Sequence, residues 1–482
     1  IDQAPSNYQL WLFNAADNTQ QLVAKSVEGK MITESLLLQE NTITKTFIAD
    51  KVIGNELDTE LYNAQSAAIH IRSVYDIDGV DTSPNGIDVL KEPSVTTAEN
   101  IPARFLRLIR GVPMPSREVR QVMNTDFGRS NAQLMREIIG YTPIQPDGSV
   151  KVKVPANVPL SLSILNESGK RVSPRHRQWI TLKAGETLEC HGCHTGNSEA
   201  PHGRLSAQLT SINAGALSSG VPFTNTTIDV LPEFGQTMAE ASAQTFGLAE
   251  LTSGLFYQDI WTDSDVSQVN PTVNVSYSSL ETLSPNGSSC FNNWNAYCRI
   301  QINYAEHIAP IWELERQVFD DVTSELISDN TCISCHANTD LDNLSQVPAG
   351  QLDLSNTPSQ DQPAHLVSYR ELFFNDVEQE VIDGILVDRL IDVLDNQGNV
   401  VNEVDNEGEL ILDENELPIP VQTTVPVASI LSVNGAISSG RFYEVFEQAS
   451  HQNMLSKSEF KLLSEWLDIG AQYYNTPFYP LP

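Results

Sequence analysis

Cys190-His191-Gly192-Cys193-His194 is the stretch around which the chain is organised, and it has a counterpart at Cys332-Ile333-Ser334-Cys335-His336. Two thiols separated by two residues and followed directly by a histidine form the attachment motif of a c-type haem. The spacing suits this chemistry because both thiols must bond to vinyl groups on one edge of the porphyrin while the adjacent imidazole reaches the iron. The two copies therefore predict two covalently attached haems c, with His194 and His336 as the proximal iron ligands.

Two other uses of these four cysteines stay open at this point. Four thiolates can hold a zinc ion, and a Cys-x-x-Cys pair can act as a redox dithiol. Neither use needs a histidine after the second cysteine, and both copies of the motif have one. The sequence therefore favours haem over zinc or a dithiol.

The 482 residues carry a strong negative charge, with 62 acidic against 28 basic side chains and a formal net charge of −34. Such a surface repels nucleic acid and anionic membranes, so we exclude both as partners. It suits a basic redox partner protein, including other multihaem cytochromes, a salty exterior or bound calcium. No apolar run approaches the length of a membrane span. Assembly into an oligomer or a complex stays open.

The sequence indicates an exported protein. Cys290 and Cys298, which lie outside the two motifs, are in a polar loop that a disulfide can close, and haem attachment and a disulfide both fit an oxidising compartment. The chain begins with Ile1 and shows no leader segment. We expect a periplasmic or extracellular location, with a leader or a longer upstream part removed.

The first 189 residues have a β pattern. We expect a β-rich segment over 1–100, in which Asn14, Asp17 and Asn18 separate two short runs, and a β-sandwich-like domain over 101–189. In the second of these, the alternating runs at 150–154 and 160–165 predict strands. A short helix is predicted over 130–140, capped at Ser130-Asn131 and ended by Gly140.

The remaining sequence predicts the haem-binding part. Residues 190–300 are assigned to the first haem site and to irregular chain with helical fragments around 237–250. Residues 301–482 are assigned to a helical cytochrome domain. Pro310 fits the first turn of one helix, with Ile311, Leu314 and Val318 on its apolar face. The capping box Ser456-Lys457-Ser458-Glu459 begins another, with Phe460, Leu463 and Leu467 on one face. The predicted fold class is α+β and multidomain: a β-rich, sandwich-like N-terminal part followed by a mainly helical c-type cytochrome region with a β-ribbon insertion.

The insertion covers 392–420 and contains a near-repeat of acidic turns at 395–398, 405–408 and 413–416. Such turns between short apolar runs predict a protruding acidic β-ribbon. It lacks the ligand spacing of an EF-hand, so a solvated insertion is favoured over a calcium site or a docking element.

The sixth ligand of each iron separates an electron carrier from an enzyme with an open haem face. We expect His451, at the entrance of the C-terminal helix, to be the distal ligand of the second haem, with Met454 as its rival. For the first haem the candidates are His307 and His202. His176 either approaches the first haem or packs on its propionates with Arg175 and Arg177. His70 and His191 are assigned structural or solvent-facing roles.

Several stretches resemble the hydrazine synthase α subunit family, in patches from about residue 100 to the C-terminus. The resemblance implies a β-rich middle domain and two c-type haems, often behind an N-terminal propeller. The stretches are Gln145-Pro146-Asp147-Gly148-Ser149-Val150, Val154-Pro155-Ala156-Asn157, Leu182-Lys183-Ala184-Gly185-Glu186-Thr187-Leu188-Glu189, Val347-Pro348-Ala349-Gly350-Gln351-Leu352-Asp353-Leu354, Ser368-Tyr369-Arg370-Glu371-Leu372 and Trp466-Leu467-Asp468-Ile469-Gly470-Ala471-Gln472-Tyr473-Tyr474.

The chain also departs from that family. In the synthase, a tyrosine just beyond the attachment motif ligates the active-site haem, whereas here His194 is followed by Thr195-Gly196-Asn197-Ser198. We therefore expect a dihaem cytochrome that transfers electrons between redox partners, rather than an enzyme. One alternative is a dihaem enzyme with one open haem that acts on peroxide or a nitrogen compound, hydrazine synthase-like or peroxidase-like. Another is a haem-bearing subunit of an extracellular filament or complex. An open iron would favour the enzyme, and self-assembly would favour the filament.

Overall fold

The computed structural model describes residues 9–25, 27, 32, 51–198, 211–291, 293–320, 322–340 and 342–478. The chain divides into two compact units, Ile1–Lys51 and Val52–Pro482. In the first unit, strands β1 (Leu10–Asn14) and β2 (Thr19–Ala24) form an antiparallel hairpin. The turn between these strands lies where the sequence predicts it.

The second unit contains all three positions, 100, 189 and 300, at which the sequence predicts a boundary between domains. A π-helical turn at Tyr304–Ile308 directly precedes the helix Ala309–Glu313. In chain order its elements are α1 (Thr59–Asn63), β3 (Ser66–Ile71), β4 (Asp76–Ile77), β5 (Val80–Asp81), α2 (Ile87–Leu90), β6 (Phe105–Gly111), α3 (Asn124–Phe127), β7 (Arg136–Pro143), β8 (Val150–Pro155), β9 (Leu160–Leu165), β10 (Thr187–Cys190), α4 (Met238–Phe246), β11 (Leu255–Tyr257), β12 (Val273–Val275), α5 (Ser288–Phe291), α6 (Ala309–Glu313), β13 (Gln317–Phe319), β14 (Leu326–Asp329), α7 (Cys332–Cys335), α8 (Val367–Phe373), β15 (Asp376–Val377), β16 (Gln379–Ile382), β17 (Ile385–Asp388), β18 (Leu390–Asp392), β19 (Gln422–Thr424), β20 (Pro426–Val427), α9 (Gly440–Val445) and α10 (Lys457–Asp468).

Two three-stranded sheets form the centre of this unit. One has the order β10-β3-β8, with β10 parallel to β3, and the other is antiparallel with the order β7-β6-β9. Ile69, Leu106 and Val152 belong to a single apolar core that draws residues from both sheets. The sheets therefore pack as a small sandwich, and β10 leads directly from it into the first cysteine motif.

The β7-β6-β9 sheet is buried on both faces. Its second face contributes Phe105 and Ile138 to a larger core that also contains Trp466 and Leu467 of α10. The helix predicted over 130–140 is wrong, because these residues form β7 after a short 3₁₀ turn. A strand buried on both faces shows no alternation of apolar and polar residues, so its short apolar run cannot be told from a helix by its period.

The C-terminal part is less helical than predicted. The helix that contains Pro310 ends at Glu313, and Val318 lies in the β13–β14 hairpin. The helical fragment predicted around 237–250 is confirmed by α4, and the capping box at Ser456 and Glu459 begins α10 as predicted. In the described part of the chain, no helix has the length and apolarity that crossing a bilayer requires. The architecture is α+β, with short helices packed on small sheets.

The predicted acidic ribbon is present and is wider than 392–420. It includes the β16–β17 hairpin and the β18–β19 pair, and isolated bridges such as Leu394↔Val400 continue it outward. Asp395, Asp405 and Asp413 each accept hydrogen bonds from backbone N–H groups of their own turns. These carboxylates close turns, and none belongs to a metal-type cluster among the described residues.

Candidate functional site

The first cysteine motif is fixed to the chain segment that follows β3. Arg72 N donates to the Cys190 carbonyl oxygen at 2.8 Å, and Cys193 N donates to the Asp76 carbonyl oxygen at 2.7 Å. Between the two cysteines, a Cβ added at Gly192 would lie 2.2 Å from that same Asp76 oxygen. A residue without a side chain is therefore required for this close approach of the two backbones.

The second motif is a single helical turn, α7, packed on the larger core. His336 N donates to the Cys332 carbonyl oxygen at 2.9 Å, which places the imidazole directly after the turn that carries both thiols. Helix α6 contacts this turn. Arg316 lies at its side, with Nη1 3.8 Å from Cys332 Sγ and Nη2 2.6 Å from Glu459 of α10.

The four motif cysteines are free thiols, and three of them lie in environments that suppress the thiolate. Burial is the main cause that raises the pKa of Cys190, of Cys332 and of Cys193, the last to about 12. A redox dithiol needs a thiol with a depressed pKa, so this use of the cysteines is not supported.

The zinc alternative also lacks support. Across the ranges that the structure describes, the one group of His, Cys, Asp and Glu side chains close enough to hold a metal ion is His70, Glu189 and Glu240. Cys190 and Cys193 pack against the sandwich core, whereas Cys332 packs against the larger core. The thiols of the two motifs therefore do not form a common ligand set.

Each motif histidine presents a free Nε2 lone pair. A carbonyl oxygen can only accept, so the contacts from His194 Nδ1 to Thr195 O (3.1 Å) and from His336 Nδ1 to Leu352 O (3.2 Å) place the proton on Nδ1. Nε2 is then the nitrogen that would ligate a metal in both rings, as is usual for a metal-bound histidine. Burial lowers the pKa of His336, which keeps this imidazole in its neutral form.

A second imidazole faces each motif histidine. The ring centres of His176 and His194 are 6.5 Å apart with an interplanar angle of 77°, and those of His336 and His451 are 6.1 Å apart at 53°. A metal–imidazole bond of about 2 Å and about 1 Å more to each ring centre place two axial imidazoles on one metal roughly 6 Å apart. Both pairs therefore have the spacing of bis-histidine ligation.

A group of arginines lies near His176: Arg136 lowers the pKa of His176, and Arg107, Arg136 and Arg171 act on that of Arg175, the preceding residue. Arg107, Arg136 and Arg171 are buried, and Arg175 is half-buried. Asp468 pairs with Arg107 Nη2 and lies 3.5 Å from Arg171 Nε. Burial is the main cause that lowers the pKa of Arg175, to about 10, and Arg136 and Arg171 lower it further. Arg107 Nη1, Arg171 Nη1 and Arg175 Nε are buried without a hydrogen-bond partner. Each of these three guanidinium groups has another partner, and the nitrogen that is left over suits the propionate carboxylates of a haem.

The surroundings of His451 are aromatic. Its ring lies 5.9 Å from that of Phe446, which in turn contacts Phe460 of α10 at 5.2 Å. Met454, the rival ligand, lines a neighbouring cleft of about 570 Å³ together with Arg316 and Glu459. The structure thus brings the ring of His451 opposite that of His336 and places Met454 in the cleft beside the second motif.

Of the two histidines predicted as distal ligands of the first haem, His307 and His202, the structure describes only His307. His307 is buried beside α6, where its Nδ1 lies 3.1 Å from both the backbone N and O of Asn303, and the ring that faces His194 is that of His176. His202 lies outside the described residues. No pattern in the sequence singles out His176, because the loop 172–179 has no periodicity from which the direction of this side chain follows. Cys290 and Cys298 are joined by a disulfide.

The comparisons with known proteins concern one part of the chain above all. Residues 102–195, which contain most of the sandwich and the first motif, match the family model of the hydrazine synthase alpha subunit middle domain. No curated protein matches the chain in sequence. A solved structure, Kuenenia stuttgartiensis hydrazine synthase, is similar at 16% identity and a TM-score of 0.37 over 88% of this chain and 45% of that one.

The chain thus spans less than half the length of that synthase chain. The matched segment ends at Thr195, directly after the first cysteine motif, and it includes Gln145–Val150 and Leu182–Glu189, two of the stretches that carried the resemblance. The chain is therefore related to the hydrazine synthase alpha subunit family through its segment 102–195.

Proposed function

We propose that the chain is an exported dihaem c-type cytochrome that transfers electrons between redox partners in the periplasm or outside the cell. The observation that carries this proposal is the pair of facing imidazoles at each motif, 6.5 Å and 6.1 Å between ring centres. Two axial histidines leave an iron no open position for a substrate, and bis-histidine haems serve electron transfer. When bound, each haem supplies a one-electron couple whose potential depends on its axial ligands, its burial and nearby charge.

The residues of this chain would position and tune these couples. Cys190, Cys193, Cys332 and Cys335 would form the thioether bonds. His194 with His176, and His336 with His451, would supply the axial nitrogens. The arginines near His176 would hold propionates at the first site, and the aromatic group of Phe446 and Phe460 would keep water from the second.

The experiment is optical and EPR spectroscopy of the haem-loaded protein, with carbon monoxide added to the reduced form. Two low-spin haems that do not bind carbon monoxide are the expected result. His451→Ala should convert one haem to a high-spin form that binds carbon monoxide, and His176→Ala should do the same to the other. His307→Ala is the matched control and should leave both haems low-spin. A high-spin haem in the unaltered protein would contradict the proposal.

The second candidate is an enzyme of the hydrazine synthase type. The family match over 102–195 favours it because this segment includes the first motif. Carbon monoxide binding at the first haem of the unaltered protein, together with turnover of a nitrogen substrate, would support this candidate over the electron carrier.

A further inference from the structure

A cluster of three ligand-type side chains lies on the β10-β3-β8 sheet, separate from the two imidazole pairs. One nitrogen of His70 and one carboxylate oxygen from each of Glu189 and Glu240 all lie within 4.8 Å of one another. His70 is 1% exposed and Glu189 is 70% exposed, so the cluster lies where the interior of the fold meets solvent.

The fold brings these residues together from three elements. In the parallel pair of β10 and β3, Glu189 is the register partner of His70, so both side chains are on the same face of the sheet. Helix α4 packs on β8, and its first turn places Glu240 over that face. Glu189 Oε1 is 3.9 Å from His70 Nδ1, and Glu240 Oε2 is 3.7 Å from His70 Nε2.

The hydrogen bonds of Thr237 fix the tautomer of His70. Thr237 Oγ1 donates to Glu240 Oε2 at 3.1 Å, so it accepts the hydrogen of His70 Nε2 at 3.2 Å. His70 Nδ1 then carries a lone pair, is buried and has no hydrogen-bond partner. This lone pair lies 3.9 Å from Glu189 Oε1, a separation at which one cation would contact both acceptors.

A proton is a poor candidate for that cation. Burial is the largest cause that lowers the pKa of His70, and Lys151 and Arg72 lower it further, while Glu240 and Glu189 oppose them. Arg72 also approaches Glu240 at 3.7 Å, but its guanidinium is already held by the carbonyl oxygens of Asn213 and Gly235. It therefore does not occupy the space between His70 and Glu189.

We propose that His70, Glu189 and Glu240 form a binding site for a first-row divalent cation, with Zn²⁺ as its best match. Calcium and magnesium prefer all-oxygen sites, whereas one imidazole and two carboxylates suit zinc. Three protein ligands leave a fourth position for water. Two carboxylates and a neutral imidazole also balance the charge of a dication.

The test is calorimetric titration of Zn²⁺ into the haem-loaded protein after treatment with a chelator. The informative variant is Glu189→Gln, since this side chain is 70% exposed and its replacement leaves the sheet intact. Glu250→Gln is the matched control because Glu250 is equally exposed and pairs with Lys153 on the neighbouring strand β8. We expect one tight Zn²⁺ equivalent in the unaltered protein and in Glu250→Gln, and affinity weakened at least about tenfold in Glu189→Gln.

Zinc-edge X-ray absorption of the loaded protein identifies the donor atoms. One nitrogen with oxygen ligands supports the site, whereas sulfur ligands would place the ion on the motif thiols and overturn it. Weak binding without a saturable equivalent would also overturn the proposal, because it would reflect only the acidic surface. Equal affinity of Glu189→Gln and the unaltered protein would do the same.

Discussion

Single arginine side chains beside His176 are expected to set the potential of the first haem. A positive charge favours the reduced state of a nearby haem, because reduction removes one positive charge from the iron. At roughly 10 Å and an effective dielectric constant of about 20 this interaction is about 1–2 kcal/mol, on the order of 50 mV for one electron. Arg175→Gln should therefore lower one of the two midpoint potentials by about that amount in a redox titration. Arg177→Gln is the control, since Arg177 is exposed and screened. Equal shifts in both variants would contradict the assignment.

Glu371 is expected to make the stability of the protein depend on pH. Burial, and then Asp376, raise the pKa of Glu371 to about 8, whereas an unfolded glutamate has a pKa of about 4.3. The folded state therefore holds an extra proton between these values. Its stabilising effect is complete below about pH 4.3 and is lost as the pH rises through about 8.

A glutamine at position 371 stays neutral at every pH. The Glu371→Gln variant should therefore not lose stability as the pH rises toward about 8. We expect its urea midpoint to match that of the unaltered protein at pH 4 and to exceed it at pH 8.5. Glu313→Gln, at an exposed position of α6, should follow the unaltered protein at both values. Parallel pH profiles for the Glu371 variant and the unaltered protein would show that Glu371 titrates normally.

Helix α10 organises the larger core around buried charges. Glu465 accepts hydrogen bonds from Tyr141 and from Tyr277 at 2.5 Å, and it pairs with Lys461 at 2.5 Å. Glu465→Leu would leave the Lys461 ammonium buried without its carboxylate, which costs about 3–5 kcal/mol. We expect that loss in the free energy of unfolding measured with urea. Lys457→Met, on the exposed side of the same helix, should change it by no more than about 0.5 kcal/mol.

A double variant separates the lost pair from the lost packing. Lys461→Met combined with Glu465→Leu removes both charges, so it should recover part of the stability that the single Glu465 variant loses. A double variant that is less stable by the sum of both single changes would mean that the ion pair itself contributes little.

Local signals predicted some elements well and missed others for physical reasons. The capping box at Ser456 and Glu459, and the Asp-x-x-Gly turns of the ribbon, act within a few residues, so the sequence alone identifies them. Strand β7 was missed because its burial on both faces depends on α10, more than 300 positions away in the chain. The cysteine motifs and His451 could be read from short patterns, whereas His176 faces His194 only through the path of the loop after β9.

The net charge of −34 and the exposed acidic ribbon should govern association of the proposed cytochrome with a redox partner. The span 392–420 contains nine acidic residues and no lysine or arginine. Attraction to a basic partner increases the association rate and is screened by salt. Electron transfer with a small basic cytochrome, followed by stopped flow, should therefore slow as the ionic strength rises.

A shortened ribbon tests whether this segment contributes to the attraction. Because Asp392 is the register partner of Gln422, replacing 393–421 by Asn-Gly should close the β18–β19 hairpin and leave the haem spectra unchanged. We expect a slower reaction with the basic cytochrome at low ionic strength and little difference at high ionic strength, where the field of the ribbon is screened. Reduction by the small dianion dithionite is the control, and it should be no slower in the shortened protein, since removing negative charge favours an anion. A shortened protein that reacts with the basic cytochrome as fast as the intact one at low salt would place the docking surface elsewhere on the second unit.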